Sequence, residues 1–205
     1  MGEREMIEFL SQKMMYFLIE NNAIKKEEIE IYNYTFETVI AFLINIIFIL
    51  LIGWIMNRFI CTILFLVFYC PIRQFSGGYH AENYKSCLLT FVAIYILNYV
   101  ILENFFINKN SILFLLITII SFIRVYKKSP FEHREHSLSM NQRKKYKQIV
   151  FLGLTLDLII SIIGIHFKSI YVYSIYILSV INIIYLMIIL GSIKQKITEK
   201  SQKFI

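Results

Sequence analysis

The sequence predicts an all-α fold, a polytopic integral membrane helical bundle of about six transmembrane helices preceded by an N-terminal amphipathic helix. Three observations point there. The 205-residue chain is 58% hydrophobic and 17% charged, whereas a soluble globular domain carries roughly 45–50% apolar and about 25% charged residues. The apolar surplus is gathered into six Ile-, Leu- and Phe-rich runs, and the mean hydropathy is +0.63. Almost every Lys and Arg lies between those runs. This composition excludes a water-soluble single domain and a disordered chain. Two prolines and seven glycines likewise exclude a collagen-like or linker-dominated chain.

Residues 1–34 form a charged prelude. Ile7, Leu10, Met14, Phe17 and Leu18 recur there at helical spacing, with Glu8, Gln12, Lys13 and Glu20 on other faces. That pattern predicts an amphipathic helix lying on the membrane surface or packed against the bundle. The apolar runs cover about 35–56, 59–72, 87–102, 111–125, 149–166 and 169–190. At ~1.5 Å per residue the first and last reach ~30 Å, enough for a hydrocarbon core. The second and third are shorter, and either re-enter or cross a locally thinned region. One long polar connection, 126–148, precedes the fifth run. The chain thus divides into a cytoplasmic or interfacial segment at 1–34, a membrane domain at 35–190 and a cytoplasmic tail at 191–205, with no internal repeat.

With six crossings and a cytoplasmic N-terminus, 18 of the 21 Lys and Arg fall inside, and only Arg58, Lys109 and Lys168 fall outside. The positive-inside rule selects this orientation, with both termini cytoplasmic. Trp54, Tyr99 and Tyr171 then sit near the outer interface, where amphipathic rings are favoured. The net charge of +7 therefore reads as a topology signal and an attraction to anionic headgroups of the lipid membrane, not as nucleic-acid binding. The acidic start, Met1-Gly2-Glu3-Arg4-Glu5, lacks a basic n-region, so no cleavable signal peptide is expected. Three cysteines (Cys61, Cys70 and Cys87) are an odd number without zinc-like spacing, which argues against a disulfide framework.

One segment, 71–87, is unlike an ordinary membrane connection. It reads Pro71-Ile-Arg73-Gln-Phe-Ser-Gly77-Gly78-Tyr-His80-Ala-Glu82-Asn-Tyr-Lys85-Ser-Cys87. Gly77-Gly78 permits a sharp turn or a close backbone approach that a Cβ would obstruct. His80 and Cys87 follow, the pair a cysteine protease needs: a thiolate nucleophile and an imidazole that takes its proton and later protonates the leaving amine. Positions seven apart in one helix are separated by ~10 Å along its axis, too far for a hydrogen bond. The dyad therefore requires His80 on the turn after the glycines, folded back toward Cys87 at the start of the third span. A sulfur at a helix N-terminus is also where the helix dipole favours the thiolate.

The array Arg73-x3-Gly77-Gly78-x-His80-x6-Cys87, between apolar runs in a basic chain of this length, resembles the AgrB family. Its members are membrane-embedded cysteine endopeptidases that process the precursor of a cyclic autoinducing peptide in Gram-positive quorum sensing. The resemblance implies Cys87 as nucleophile and His80 as its base, with Arg73, Gly77 and Gly78 supporting the site. It makes 35–190 a transmembrane peptidase domain with 71–87 as its catalytic segment. The partner it implies is an AgrD-like precursor, whose acidic tail is removed while the core closes into a thiolactone or lactone through a Cys87 acyl-enzyme. No cofactor and no metal are implied. Pro130 matches the family's proline after the fourth span. The family's Asn-Lys/Arg-Pro-Leu element stands here as Glu135-His136-Ser137-Leu138, a departure outside the dyad.

Several roles stay open at this level. The tetrahedral oxyanion has two candidate donors, Arg73 or a backbone N–H near Gly78, and Arg73 equally suits a lipid phosphate. Basic residues in 127–147 complement an acidic substrate tail, and equally serve as a positive-inside signal. Glu82 is close to His80 in sequence but expected to be exposed, which leaves a dyad. His133-x2-His136 lacks a third ligand and reads as a solvated loop. Cys61 and Cys70 read as small buried hydrophobes. Asn45, Asn98 and Asn182 read as bridges between helices, and Asp157 as an intramembrane acid whose role is open. A rival function, a small transporter or channel, would route its cargo past Asp157 and those asparagines. A homodimer is compatible with six small spans.

Overall fold

The computed structural model describes residues 3–21, 24, 28–79, 81, 83–107, 111–131 and 138–202. Among the described residues the chain forms seven α-helices and no strand: α1 (Glu3–Glu20), α2 (Ile29–Ile55), α3 (Phe59–Ser76), α4 (Tyr84–Ile101), α5 (Ser111–Lys128), α6 (Met140–Ile165) and α7 (Tyr171–Gln202). Five of them, α2, α3, α4 with its extension, α6 and α7, are long and apolar enough to cross a membrane by length and composition. The fold is therefore an all-α polytopic membrane bundle. The predicted fourth span corresponds to α5, which is not among these five because Arg124, Lys127 and Lys128 all fall within its 18 residues.

Helix ends differ from the apolar runs because capping and packing, not hydropathy, set them. α3 continues through Pro71 to Ser76, so the second run becomes an 18-residue helix. α4 starts at Tyr84 because the Asn83 side chain accepts the Ser86 N–H at 2.8 Å. At its far end a π-helical turn, Leu102–Phe106, extends it to 23 residues. α6 starts nine residues before the fifth run, because Ser139 and Gln142 form a reciprocal capping box. Arg143, Lys144, Lys145 and Lys147 therefore lie on helical turns, and the connection expected over 126–148 narrows to 129–139.

α1 packs against α2, on a stripe other than the one expected. Ile7, Ser11 and Met15 are the buried positions, while Leu10, Met14 and Phe17 face outward. The physical reason is that α1 carries apolar side chains around most of its circumference. Packing thus selects the stripe containing small Ser11, whose hydroxyl bonds back to the Glu8 carbonyl.

α7 is the central post. Its apolar window is 72% buried, against 22–39% for the other four crossing helices, and it contacts α3, α5 and α6. Ser174 to Ile181 are all buried, which is why α7 is apolar on every face. Lipid removes the hydrophobic drive for helix association, so close packing and interhelical hydrogen bonds must hold the bundle. Both are present. Gly53 faces Thr62, and Gly164 faces Ser174, at distances that leave no room for a Cβ. Thr62 bonds the Tyr95 hydroxyl at 2.6 Å, Asn98 donates to Ser179 at 3.0 Å, and Asn182 donates to Thr118 at 2.8 Å. Asn98 and Asn182 are thus interhelical bridges, joining α4 and α5 to the central post.

Two ends of the bundle can be distinguished by their contacts. At one end, Arg58 between α2 and α3 holds Glu103 of the π-turn through two bonds of 2.6 and 2.9 Å, and Tyr176 donates to the same carboxylate at 3.1 Å. That carboxylate holds the guanidinium pKa above its ordinary value. Trp54 and the Tyr171 hydroxyl, bonded to the Phe106 carbonyl, share this end. At the other end, three backbones meet. The Phe131 N–H bonds the Ser76 carbonyl at 2.8 Å, Gly77 bridges to Phe131, and the Tyr79 N–H bonds the Met187 carbonyl of α7 at 2.9 Å. Gly77 and Gly78 adopt φ values of +69° and +124°, a region L side chains rarely occupy.

Two predictions follow from these contacts. Thr62→Val strands the buried Tyr95 hydroxyl and should cost about 1–3 kcal/mol. Adding Tyr95→Phe should recover part of that loss, read as the midpoint of unfolding in a mild detergent; equal losses for the single and double variants would contradict it. Gly77→Ala drives a Cβ into the Phe131 carbonyl oxygen while holding an unfavourable φ. Hydrogen exchange should then show faster exchange at the Phe131 and Tyr79 amides, with amides in α7 between Ile175 and Ile184 still protected.

Candidate active site

Cys87 lies in the first turn of α4, four residues after the Asn83 cap, and its amide bonds the Asn83 carbonyl at 3.1 Å. Its thiol is free and exposed. The sulfur thus stands where the unsatisfied N–H groups of a helix start are concentrated, the electrostatic setting suited to a thiolate nucleophile. Of the other two cysteines, Cys61 is buried, as expected of a small core hydrophobe, and Cys70 is half-buried.

Arg73, on the last turn of α3, is half-buried and reaches over the glycine turn. One terminal nitrogen donates to the Gly77 carbonyl and the other to the Tyr79 carbonyl at 2.6 Å. The guanidinium therefore ties the loop down. Gly78 approaches α7 so closely that a Cβ would lie 3.0 Å from the Met187 carbonyl oxygen, and a Cβ on Gly191 would meet Gly78 at 2.9 Å. The two glycines and Arg73 thus form one structural unit with α7. His80 and Glu82 lie outside the described residues, as do His133, His136, Glu135 and Ser137. Tyr79 and Ala81, which flank His80, are described, and Lys194 of α7 sits over the Tyr79 ring at 5.6 Å.

Two side chains near the sulfur were not singled out as site residues by the sequence. Tyr69 of α3 stacks on Phe91 of α4 at 5.1 Å between ring centroids, fixing the two helices one turn beyond Cys87. Asn45 of α2 points its amide nitrogen at the Cys87 sulfur from 3.9 Å. The expectation that Asn45 bridges helices holds, and its partner is the candidate nucleophile. The available signal was local: between Thr38 and Trp54, Asn45 is the one residue of α2 with a hydrogen-bonding side chain. Nearby, Glu37 accepts from Asn33 at 2.9 Å and from Tyr84 at 3.1 Å, which pins the start of α4 to α2. Among the described residues no three His, Cys, Asp or Glu side chains converge to hold a metal ion.

Asp157 makes no hydrogen bond to any of these site residues. It is fully buried on α6, accepts a bond from Ser161 at 3.4 Å, and leaves its Oδ2 without a partner.

Comparison with known proteins agrees with the motif. The family model for Accessory gene regulator B matches residues 11–196. The chain is 30% identical to a putative AgrB-like protein 2 of Clostridium perfringens (strain 13 / Type A) over 145 residues, 68% of each chain. It is 29% identical to a putative AgrB-like protein of Clostridium perfringens (strain SM101 / Type A) over 166 residues, 78% of each chain. To Accessory gene regulator protein B of Staphylococcus aureus (strain Newman) it is 29% identical over 112 residues, 55% of this chain and 59% of that one. No solved structure matches the chain. The family match covers the glycine turn, the start of α4 and the central post as far as residue 196, and the chain belongs to the accessory gene regulator B family.

Proposed function

We propose that this protein is a membrane-embedded cysteine endopeptidase that cleaves the acidic C-terminal tail from an AgrD-like precursor and closes the remaining core into a macrocycle. The observation that carries the reading is the position of Cys87. An exposed thiol stands in the first turn of α4, beside a glycine turn that Arg73 holds against α7. That turn leads directly into His80. Membership of the family supports the same chemistry and partner.

In this mechanism His80 takes the Cys87 proton and the sulfur attacks the carbonyl at the end of the core. A C–S bond forms as the carbonyl electron pair moves onto oxygen. Collapse of that oxyanion breaks the C–N bond, and the amine of the tail leaves with the proton from His80. The core remains as a thioester on Cys87. A thiol within the core then attacks the same carbonyl, releases Cys87 and yields a thiolactone; a serine yields a lactone. One thioester replaces another, so the thiol route is close to energy-neutral, and its intramolecular geometry raises the effective concentration of the attacking group.

The 18-to-3 distribution of basic residues supports cytoplasmic termini. Contacts at the two ends of the bundle are consistent with that alternation, grouping Arg58 with Ser169 and Gly77 with Phe131. The glycine turn and the basic start of α6 then face the cytoplasm, where an acidic tail is attracted to Arg143, Lys144, Lys145 and Lys147.

Intact-mass analysis of a candidate precursor co-expressed with wild type, Cys87→Ala or His80→Ala tests the proposal. Wild type should remove the tail and the retained core should lose one further water, while both variants leave the precursor whole. Asp157→Asn should retain at least half of wild-type processing, because the hydrogen-bond partner of Asp157 is Ser161 of its own helix and the mechanism makes no use of it. Cleavage that survives Cys87→Ala would rule out the thiol mechanism. Loss of function with Asp157→Asn alone would favour a transporter.

A further inference from the structure

We infer that Asn45 is a catalytic residue of this site: its side-chain amide donates the hydrogen bond that stabilises the oxyanion formed when Cys87 attacks. The inference rests on the peptidase reading above and adds a residue and a role to it.

The argument begins with cost. A carboxamide in the middle of a membrane helix, away from water, is unfavourable by about 1–3 kcal/mol unless it finds a partner. The apolar residues Val39 to Ile44 precede Asn45 on α2, and Ile46 to Gly53 follow it. In Asn98 and Asn182 the amide nitrogens meet neutral hydroxyls on other helices, Ser179 and Thr118, at 3.0 and 2.8 Å. Asn45 faces a thiol instead, which is a weak acceptor while protonated. At 3.9 Å the contact is also long. As a structural bridge it is poor.

As a transition-state contact it is well placed. An oxygen on a tetrahedral carbon bonded to Sγ can lie beside the 3.9 Å line between the sulfur and the amide nitrogen, within hydrogen-bond reach of that nitrogen. A donor set back from the sulfur is therefore positioned for the oxygen that appears only after attack. Such donors act where charge develops and are strongest where water is excluded. The competing donors are less available. Arg73 directs two nitrogens at the Gly77 and Tyr79 carbonyls, and the Tyr79 amide is bonded to Met187. The Asn45 amide carries two hydrogens, so one can face the sulfur while the other meets the oxyanion.

Position is secured from both sides. Glu37, two helical turns earlier on α2, takes the Tyr84 hydroxyl at 3.1 Å, and Tyr69 stacks on Phe91 just past Cys87. These contacts hold α4 against its neighbours above and below the sulfur, independently of Asn45. Loss of the Asn45 side chain should thus leave the helices in place.

The test uses full-length protein in nanodiscs, in a Cys61→Ala, Cys70→Ala background, with the co-expressed precursor of the preceding section purified as substrate. Asn45→Ala should lower kcat about 100-fold or more and leave KM within about twofold. Asn45→Leu, which keeps a similar volume and carries no donor, should lose as much. Alkylation of Cys87 by iodoacetamide, followed by intact mass, should go to completion in wild type and both variants, showing a folded protein with an accessible nucleophile. Wild-type kcat in either variant, or a loss carried by KM, overturns the assignment, as does a Cys87 that no longer alkylates. A precursor left whole by the wild-type protein overturns the peptidase reading and this one with it.

Discussion

The candidate site depends on a meeting of three backbones without intervening side chains. The chain leaves α3, turns at Gly77 and Gly78, and runs between the strand-like contact at Phe131 and the flank of α7 at Met187 and Gly191. A methyl group on Gly77 or Gly191 would collide with backbone, and one on Gly78 would press on the Met187 carbonyl. Because these are main-chain contacts, they fix the path of the loop more tightly than side-chain packing could. Arg73 then closes the turn on itself through the Gly77 and Tyr79 carbonyls. What the loop gains is a defined direction into the segment that carries His80 and ends at the Asn83 cap.

That arrangement needs a rigid partner, and α7 supplies it. A helix buried on all sides by α3, α5 and α6 cannot shift without disturbing every neighbour. Its polar residues are spent on fixing those neighbours: Ser179 on α4, Asn182 on α5 and Tyr176 on the π-turn. The π-turn itself makes Glu103 available to Arg58 and Tyr176, clamping the end of the bundle opposite Cys87. Asp157 bonds Ser161 of its own helix, leaves Oδ2 unpartnered in the interior, and takes no part in the clamp.

Much of this was legible in the sequence, and the failures have physical causes. Hydropathy located every crossing helix, since exclusion of polar groups from lipid is a property of composition. It misplaced ends because Asn83 and the Ser139–Gln142 box act through single hydrogen bonds that an apolar average does not register. The second apolar run ends at about 72, whereas α3 carries Pro71 inside it and continues to Ser76. In α1 the pattern counted apolar residues, whereas packing selected the stripe holding Ser11. At the site, Arg73, Gly77, Gly78, His80 and Cys87 stood out because they are close together in sequence. Asn45 did not: it lies 42 residues before Cys87, and only the packing of α2 on α4 brings the two together.

The same packing bears on why a thioester at Cys87 would close into a ring instead of hydrolysing. Water and the core thiol compete for one carbonyl, and water ordinarily wins by concentration. Cys87 is exposed where α4 meets Asn45 of α2, and Phe42, Leu43 and Leu89 on the same two crossing helices are exposed apolar side chains, as a face toward lipid requires. A thioester held against that face is shielded from bulk water on one side, and the core is tethered to the sulfur on the other. Excluding water removes the competing nucleophile, while tethering multiplies the effective concentration of the internal one. Both effects act in the same direction. On this argument the membrane is part of the chemistry, and the N-terminus of α4 is where it meets the substrate of the proposed reaction.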